Sequence, residues 1–402
     1  MIGKYNMKTI FQHMTPVIPD LDAELEGLVV SLLERVAILR GGIHPVTCDT
    51  MSKLVETMNS YYSNLIEGQY TTPADIDRAL LGEYSADPAK RELQVESVAH
   101  IDTHQFLVKR FRPTDVPESP CSREFILWLH KEFYERMPAE FKVVRSQSGD
   151  SELIVEPGEL RQHDVIVGKH VPPEPEAIPE LLRFFAEQYD PARYDRIRQV
   201  LAMAAMHHRF LWIHPFADGN GRIARILIDA YLLRCGLDAG GLWSPVGGLS
   251  QVHDEYKRFL SLADMPRQGD LDGRGYLSAR GLRDFCRFFI TICIDQTDFM
   301  RDLIAPELLR QRVDGYVQRR AFEKALRQEV SHILTDLIYK GEISRGDAVR
   351  VSGIKERTAR DMIGQMLEEG LISSGSPKGK LRIAFPDAVR EFYFLRLFLP
   401  RD

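Results

Sequence analysis

The chain has 402 residues, 44% of them hydrophobic and 27% charged, which excludes collagen-like, low-complexity and disordered classes. At roughly 100–200 residues per domain, the length predicts two or three units, each able to bury its own core. A formal charge of -6 asks for neither nucleic acid nor an anionic membrane, although residues 301–402 carry 19 basic against 15 acidic side chains and leave the remainder acidic. Five scattered cysteines (Cys48, Cys121, Cys235, Cys286 and Cys293) form no CxxC pair or His/Cys cluster and read as reduced thiols. The first residues lack the apolar stretch of a signal peptide. The longest aromatic-apolar run, 285–294, is far shorter than the roughly 20 residues of a membrane helix. A soluble, cytoplasmic protein with no membrane partner is expected.

In chain order, Leu21, Leu25, Leu28, Val29, Leu32, Leu33 and Val36 predict a helix over 21–39 that stops at Gly41-Gly42. A second runs over 46–66 and ends before Gly68. Thr72-Pro73-Ala74-Asp75 starts another, and further helices fall at 93–108 and 125–134. Between these two, 112–122 is rich in Pro and Ser and reads as a loop. The texture turns polar over 146–175, where short alternating stretches at 153–155 and 165–168 predict a small β-hairpin. Helical periodicity resumes at Ile178 and continues past Leu233. A Gly-rich break at 236–248 is followed by helices over 252–262 and 281–309. Near the C-terminus, helices at 330–339, 344–351 and 354–369 precede strands at 371–373 and 381–383, which is winged-helix order. The predicted fold is all-α, with a small hairpin and a C-terminal winged helix. Stretches 1–20 and 85–92 carry no signal.

One stretch concentrates chemistry: His214-Pro215-Phe216-Ala217-Asp218-Gly219-Asn220-Gly221-Arg222-Ile223-Ala224-Arg225. It links a helix over 201–210 to one over 223–233. Pro215 pushes His214 out of helical geometry toward an extended backbone. Gly219, Asn220 and Gly221 allow a sharp turn whose N–H groups, with the positive end of the next helix, make a phosphate cradle. Arg222 and Arg225 share a helix face and offer two forks for further phosphate oxygens. Asp218 is a hard carboxylate suited to Mg²⁺ between phosphates. His214, with an ordinary pKa of about 6.5, suits proton abstraction near neutral pH.

This stretch resembles the signature of the Fic family, His-x-Phe-x-Asp/Glu-Gly-Asn-Gly-Arg-x-x-Arg, with every specified position filled. The resemblance implies a helical core with a β-hairpin flap. It also implies transfer of AMP from ATP to a Ser, Thr or Tyr hydroxyl of a target protein, with release of pyrophosphate. His214 would deprotonate the hydroxyl and Asp218 would ligate Mg²⁺. Asn220 and the Gly219–Gly221 amides would bind the α-phosphate, Arg222 the β-phosphate and Arg225 the γ-phosphate. Gly221 would leave open space beside the cradle where kinase members of the family carry Lys, favouring AMP transfer. Implied domains are an N-terminal helical region at 1–92, a catalytic core at 93–310 with its flap near 153–170, and the winged helix at 325–402.

Upstream, Ser63-Asn64-Leu65-Ile66-Glu67-Gly68 resembles the family's inhibitory motif, Ser/Thr-x-x-x-Glu-Gly/Asn. The resemblance implies that Glu67 takes Arg225 through a bidentate contact and denies it to the γ-phosphate. Gly158, Arg161 and the Val165-Ile166-Val167-Gly168 strand stand where the family places its target-docking flap, whose free edge would hold a target segment by main-chain bonds. Tyr256 borders the adenine pocket or simply belongs to the core.

In the C-terminal region Lys355, Arg357, Thr358 and Arg360 lie near the start of the recognition helix, with Lys378, Lys380 and Arg382 on the wing, an arrangement suited to weak DNA binding. Glu356, Asp361, Glu368 and Glu369 dilute that charge, so a protein-interaction role stands beside it. The leading function is an autoinhibited protein adenylyltransferase with ATP and Mg²⁺. It would act on a hydroxyl-bearing protein partner, and the resemblance admits self-modification and a homo-oligomer. The alternatives are a de-AMPylating enzyme, another nucleotide donor, or a DNA-binding regulator that senses nucleotide.

Overall fold

The computed structural model describes residues 10–111, 118–145, 152–394 and 397. The expected loop over 112–122 and polar segment from 146 therefore lie partly outside the described residues. Two compact units emerge. The first comprises Met1–Leu33, Asn59–Asp238 and Ser244–Asp295, and the second Glu34–Met58, Ala239–Trp243 and Gln296–Asp402. These units cut across the expected boundary at 92, because the segment from Asn59 onward belongs with the first.

The helices are α1 (Ile10–His13), α2 (Ala23–Gly41), α3 (Pro45–Ile66), α4 (Pro73–Leu80), α5 (Pro88–Phe111), α6 (Arg123–Glu135), α7 (Ile178–Tyr189), α8 (Arg196–Ile213) and α9 (Asn220–Cys235). They continue with α10 (Val246–Gln251), α11 (His253–Ala263), α12 (Ala279–Ile304), α13 (Pro306–Phe322), α14 (Val330–Lys340), α15 (Arg345–Ser352), α16 (Glu356–Glu368) and α17 (Asp387–Tyr393). Side-chain oxygens cap several of them: Thr72 accepts from the Asp75 amide, Ser122 from Phe125 and Asp195 from Arg198. A single helix is expected over 281–309. The structure breaks it at Ala305, whose ψ of 124° is non-helical because Pro306 excludes the helical conformation from the residue before it. Helix α5 starts at Pro88 rather than Leu93. Helices α10 and α17 have no counterpart in the sequence reading.

In the first unit, α8 is the central element. Every side chain from Val200 to Phe210 is buried, and α7 and α9 pack along it. A helix buried all round carries no amphipathic stripe, which is why its periodicity blurs into a continuous apolar run. Helix α9 lies against α5, α6 and α8.

The hairpin differs from expectation. Strand β1 (Val143–Arg145) pairs antiparallel with β2 (Glu152–Ile154), in the register Val143–Ile154, Val144–Leu153 and Arg145–Glu152. Val165, Ile166, Val167 and Gly168 form no strand, only an isolated bridge from Val167 to His170, and Ile166 and Val167 are exposed. The reason is local. Gly158, at φ +81°, turns the chain away from β2, and the buried Arg161 then fastens it elsewhere, so 153–155 and 165–168 never come into register.

In the second unit, α14 packs on α13 and α15, and α15 on α16. Strands β3 (Glu342–Ile343), β4 (Ile372–Ser374) and β5 (Leu381–Ile383) form a sheet in the order β3-β5-β4. Strand β3 is a third member that the sequence did not suggest. Lys380 and Arg382 both pair with its Glu342, and Arg360 pairs with Glu356 on its own helix.

Candidate active site

The segment from His214 to Arg225 is the corner between α8 and α9. His214 closes α8 in the left-handed region (φ 50°, ψ 61°), its amide donating to the Phe210 carbonyl. The expected extended backbone is therefore wrong. A residue before proline is denied the right-handed helical region, and at a helix end the left-handed cap takes its place. The imidazole is half-buried, and burial together with the nearby Arg161 guanidinium lowers its pKa to about 4. It is neutral at physiological pH and free to accept a proton.

Asn220 serves the loop itself. Its Oδ1 accepts from the Phe216 amide at 3.0 Å and its Nδ2 donates to the Phe216 carbonyl at 2.8 Å, with the side chain buried. Each end of the amide thus bonds the loop, so Asn220 shapes the cradle, and Nδ2 keeps its second N–H. Gly219 sits at φ +78°, and a Cβ there would lie 2.7 Å from the Tyr134 ring. Only glycine fits. The first amides of α9 have no acceptor within the helix, as at any helix N-terminus, and remain for an anion.

Beneath the loop, the His130 ring stacks on Phe216 with centroids 3.8 Å apart and on Tyr134 at 4.5 Å. Its Nδ1 accepts from the Gly158 amide at 2.8 Å, which leaves Nε2 protonated and facing the Asp218 carbonyl at 3.4 Å. Burial lowers the His130 pKa to about 4, so this ring is a neutral spacer between the loop and the Gly158 turn. The Tyr134 hydroxyl donates to Asp218 Oδ2 at 2.7 Å, while the Asp218 side chain stays 46% exposed.

Both signature arginines are already held. Arg225 is buried; its Nε donates to Ser63 Oγ at 2.9 Å and its Nη2 to Glu67 Oε1 at 2.6 Å. The grip combines a hydroxyl with one carboxylate oxygen and replaces the expected bidentate contact. Gly68, at φ +76°, turns the chain immediately after. A Cβ at Gly221 would collide with Glu67 Oε1, so the space beside the cradle is filled by the carboxylate and is not open as expected. Burial would lift the Glu67 carboxyl, but Arg225 and Arg222 outweigh it and hold it below the usual carboxylate range.

Arg222 pairs with Glu96 on α5, lies 3.7 Å from Asp218, and donates to Gln69 at 3.2 Å. Burial, with Asp218 and Glu67 nearby, raises the Glu96 carboxyl, whereas Arg222 stays charged. Glu96, His100 and His104 recur every fourth residue on α5 and face Arg222, Arg225 and Asp229 of α9. Among the described residues His100 has no hydrogen-bond partner at either nitrogen, and burial lowers its pKa to about 3.

Residues 120–232 match the Fic/DOC family. That segment is the chain's Fic domain. Within the known proteins, this chain is 31% identical over 186 residues to the protein adenylyltransferase Fic of Drosophila mojavensis, covering 46% of this chain and 33% of that one. It is 32% identical over 179 residues to the Drosophila grimshawi counterpart, covering 44% and 32%. The chain thus matches about a third of the length of these relatives. A Fic family protein from Desulfovibrio desulfuricans G20 shares the fold, with a TM-score of 0.52 at 16% identity over 91% of this chain and 98% of that one.

Several contacts of this Fic domain escaped the sequence. Glu96, His130, Tyr134 and Gln69 lie outside both motifs, and only the four-residue recurrence of polar side chains on α5 could have flagged Glu96. Tyr256 is core: it is buried, with its hydroxyl 2.6 Å from His207 Nε2. The four residues 165–168 stand apart from these contacts, and the groove beside the corner is instead lined by Leu153, Ile154, Leu160 and Ala217 among others. No described helix is long and apolar enough to cross a membrane.

Proposed function

We propose that this Fic protein is an adenylyltransferase restrained by the end of its own α3, moving AMP from ATP to a Ser, Thr or Tyr hydroxyl of a protein. The observation that carries the reading is a neutral His214 fixed beside the open N-terminus of α9. His214 takes the proton of the target hydroxyl as that oxygen bonds to the α-phosphorus. The bond from the α-phosphorus to the bridging oxygen breaks and pyrophosphate departs. Amides of the first α9 turn face the charge that gathers on the α-phosphate, and catalysis rests on positioning and fixed dipoles. Arg222 and Arg225 take the outer phosphates once their protein partners let go.

Asp218 fits Mg²⁺: it is a hard, accessible carboxylate with one oxygen steadied by Tyr134. The described residues hold no cluster of three or more His, Cys, Asp or Glu, so such an ion would fill its shell with phosphate oxygens and water, as Mg²⁺ does. Bound there, it would neutralise charge on the triphosphate.

The grip of Ser63 and Glu67 on Arg225 supports autoinhibition. The groove between β2 and the corner, of about 270 Å³, supports docking of a target segment at β2 rather than at 165–168. In the second unit the pairing of Lys380 and Arg382 with Glu342 favours a protein-interaction role over contacts to DNA phosphates.

The test is incorporation of α-labelled ATP, with Mg²⁺ and cell lysate, by wild type, Glu67→Gly and His214→Ala. Label should enter protein with Glu67→Gly and not with His214→Ala, which should still bind ATP. Equal labelling by all three removes the proposal. Release of AMP from a modified protein by wild type alone would point to the reverse reaction.

A further inference from the structure

Arg161 lies outside the signature, and its side chain is almost entirely buried, at 3% exposure. Its Nε donates to the His214 carbonyl at 2.8 Å, its Nη1 to the His163 carbonyl at 2.9 Å, and its Nη2 to the Pro173 carbonyl at 2.5 Å. Its own amide donates to the Pro215 carbonyl at 3.0 Å. No carboxylate among the described residues comes within ion-pair distance; Asp164 and Glu176 act on it only from farther away. A guanidinium buried against carbonyls alone is a costly way to staple a loop, since an apolar side chain could fill the same volume without losing hydration.

The carbonyl it seizes is the one that decides His214. A left-handed, non-glycine residue before proline is strained and persists only where its surroundings over-determine it. The His214 amide is tied from the helix side by Phe210, and its carbonyl from the opposite side by Arg161. Both peptide groups that set φ and ψ are therefore pinned. His170 adds a parallel tether, its Nε2 2.8 Å from the Trp212 carbonyl, so the 158–173 segment is fastened along the last residues of α8.

We propose that Arg161 is a positioning residue for AMP transfer: acting through the His214 backbone, it aims the imidazole and couples the loop after β2 to the base. This rests on the adenylyltransferase reading. The charged and titratable groups that act on the His214 ring are Arg161 and His170, which disfavour its protonation, and Asp218, which favours it.

The experiment places Arg161→Gln and Arg161→Lys in the Glu67→Gly protein and measures kcat, KM for ATP and the His214 titration by histidine-selective NMR. Arg161→Gln should lower kcat about 10- to 100-fold, the usual result of a misaligned reacting group, with KM for ATP nearly unchanged. The His214 pKa should rise. Arg161→Lys keeps the charge and part of the hydrogen bonding, so its loss should be about 3- to 10-fold and its His214 titration should stay low. If Arg161→Gln does not fold, the kcat of Arg161→Lys decides the matter. Parental kcat in the folded variants, with an unmoved His214 titration in Arg161→Gln if it folds, overturns the proposal. Should Glu67→Gly transfer no AMP, the function fails separately, and the NMR titration still tests whether Arg161 governs His214.

Discussion

Replacing Glu67 with glycine removes one carboxylate oxygen from Arg225, at 2.6 Å, and leaves the Ser63 hydroxyl at 2.9 Å. A hydrogen bond to a charged group contributes about 1.5–3 kcal/mol. Because the Glu67 side chain is 34% exposed, solvent screening places this contact near the lower end, at about 1.5 kcal/mol. Each 1.4 kcal/mol is a factor of ten, so the fraction of molecules with Arg225 free should rise about tenfold. Vacating the space beside Gly221 adds to this, and an increase of roughly 10- to 30-fold in the initial rate of labelling is expected. Glu67→Gln, which keeps the shape and loses the charge, should fall between. Ser63→Ala removes a hydrogen bond from the charged Arg225 guanidinium, worth about 1.5 kcal/mol or more, and should raise the rate about tenfold. The assay is initial-rate incorporation from α-labelled ATP at saturating nucleotide, with His214→Ala as background. Identical rates for Glu67→Gly and wild type, at equal ATP affinity, would refute the claim that Arg225 is the hostage.

The pH profile of transfer by Glu67→Gly should show its acidic limb near 4, because His214 stays neutral until that point and loses its basic form only below it; a limb near 6.5 would contradict the environment described. The Glu67 carboxyl is held below its ordinary range, so the ionised clasp is present at neutral pH and lost as pH falls through that depressed value; wild type should therefore show no activation between pH 5 and 8. Glu96→Gln leaves Arg222 buried without its close partner and should cost about 3 kcal/mol in urea unfolding. Asn220→Ala strips two hydrogen bonds from the Phe216 backbone; thermal melting should register a loss of about 2 kcal/mol, and transfer should fall with unchanged target affinity.

The order of helices was legible because most of them are amphipathic or capped by Thr, Ser or Asp, and the corner motif announced itself by the density of chemistry in twelve positions. What the sequence concealed was three-dimensional commitment. Asn220 reads as a phosphate ligand from sequence, and its second task, clamping the Phe216 backbone, shows only in the fold. Gly221 looks like open space until Glu67 fills it. The alternating run at 165–168 has the composition of a strand, yet strand formation needs a partner in register, and Arg161 holds the intervening chain against the end of α8. Glu96 and Tyr134 were invisible because contacts between α5, α6 and α9 depend on helix packing that no local pattern encodes.

The hydrogen that stands for a side chain at position 221 has two tenants with opposed interests. In the proposed adenylyltransferase a triphosphate would come close to the start of α9 because no side chain projects there, and the Glu67 carboxylate rests in that same gap. On that proposal, adding even a methyl group would displace the Glu67 carboxylate and narrow the space for the phosphates at once. Tighter control of the proposed transfer would then have to come from α3, since building upward from α9 would harm the chemistry being restrained.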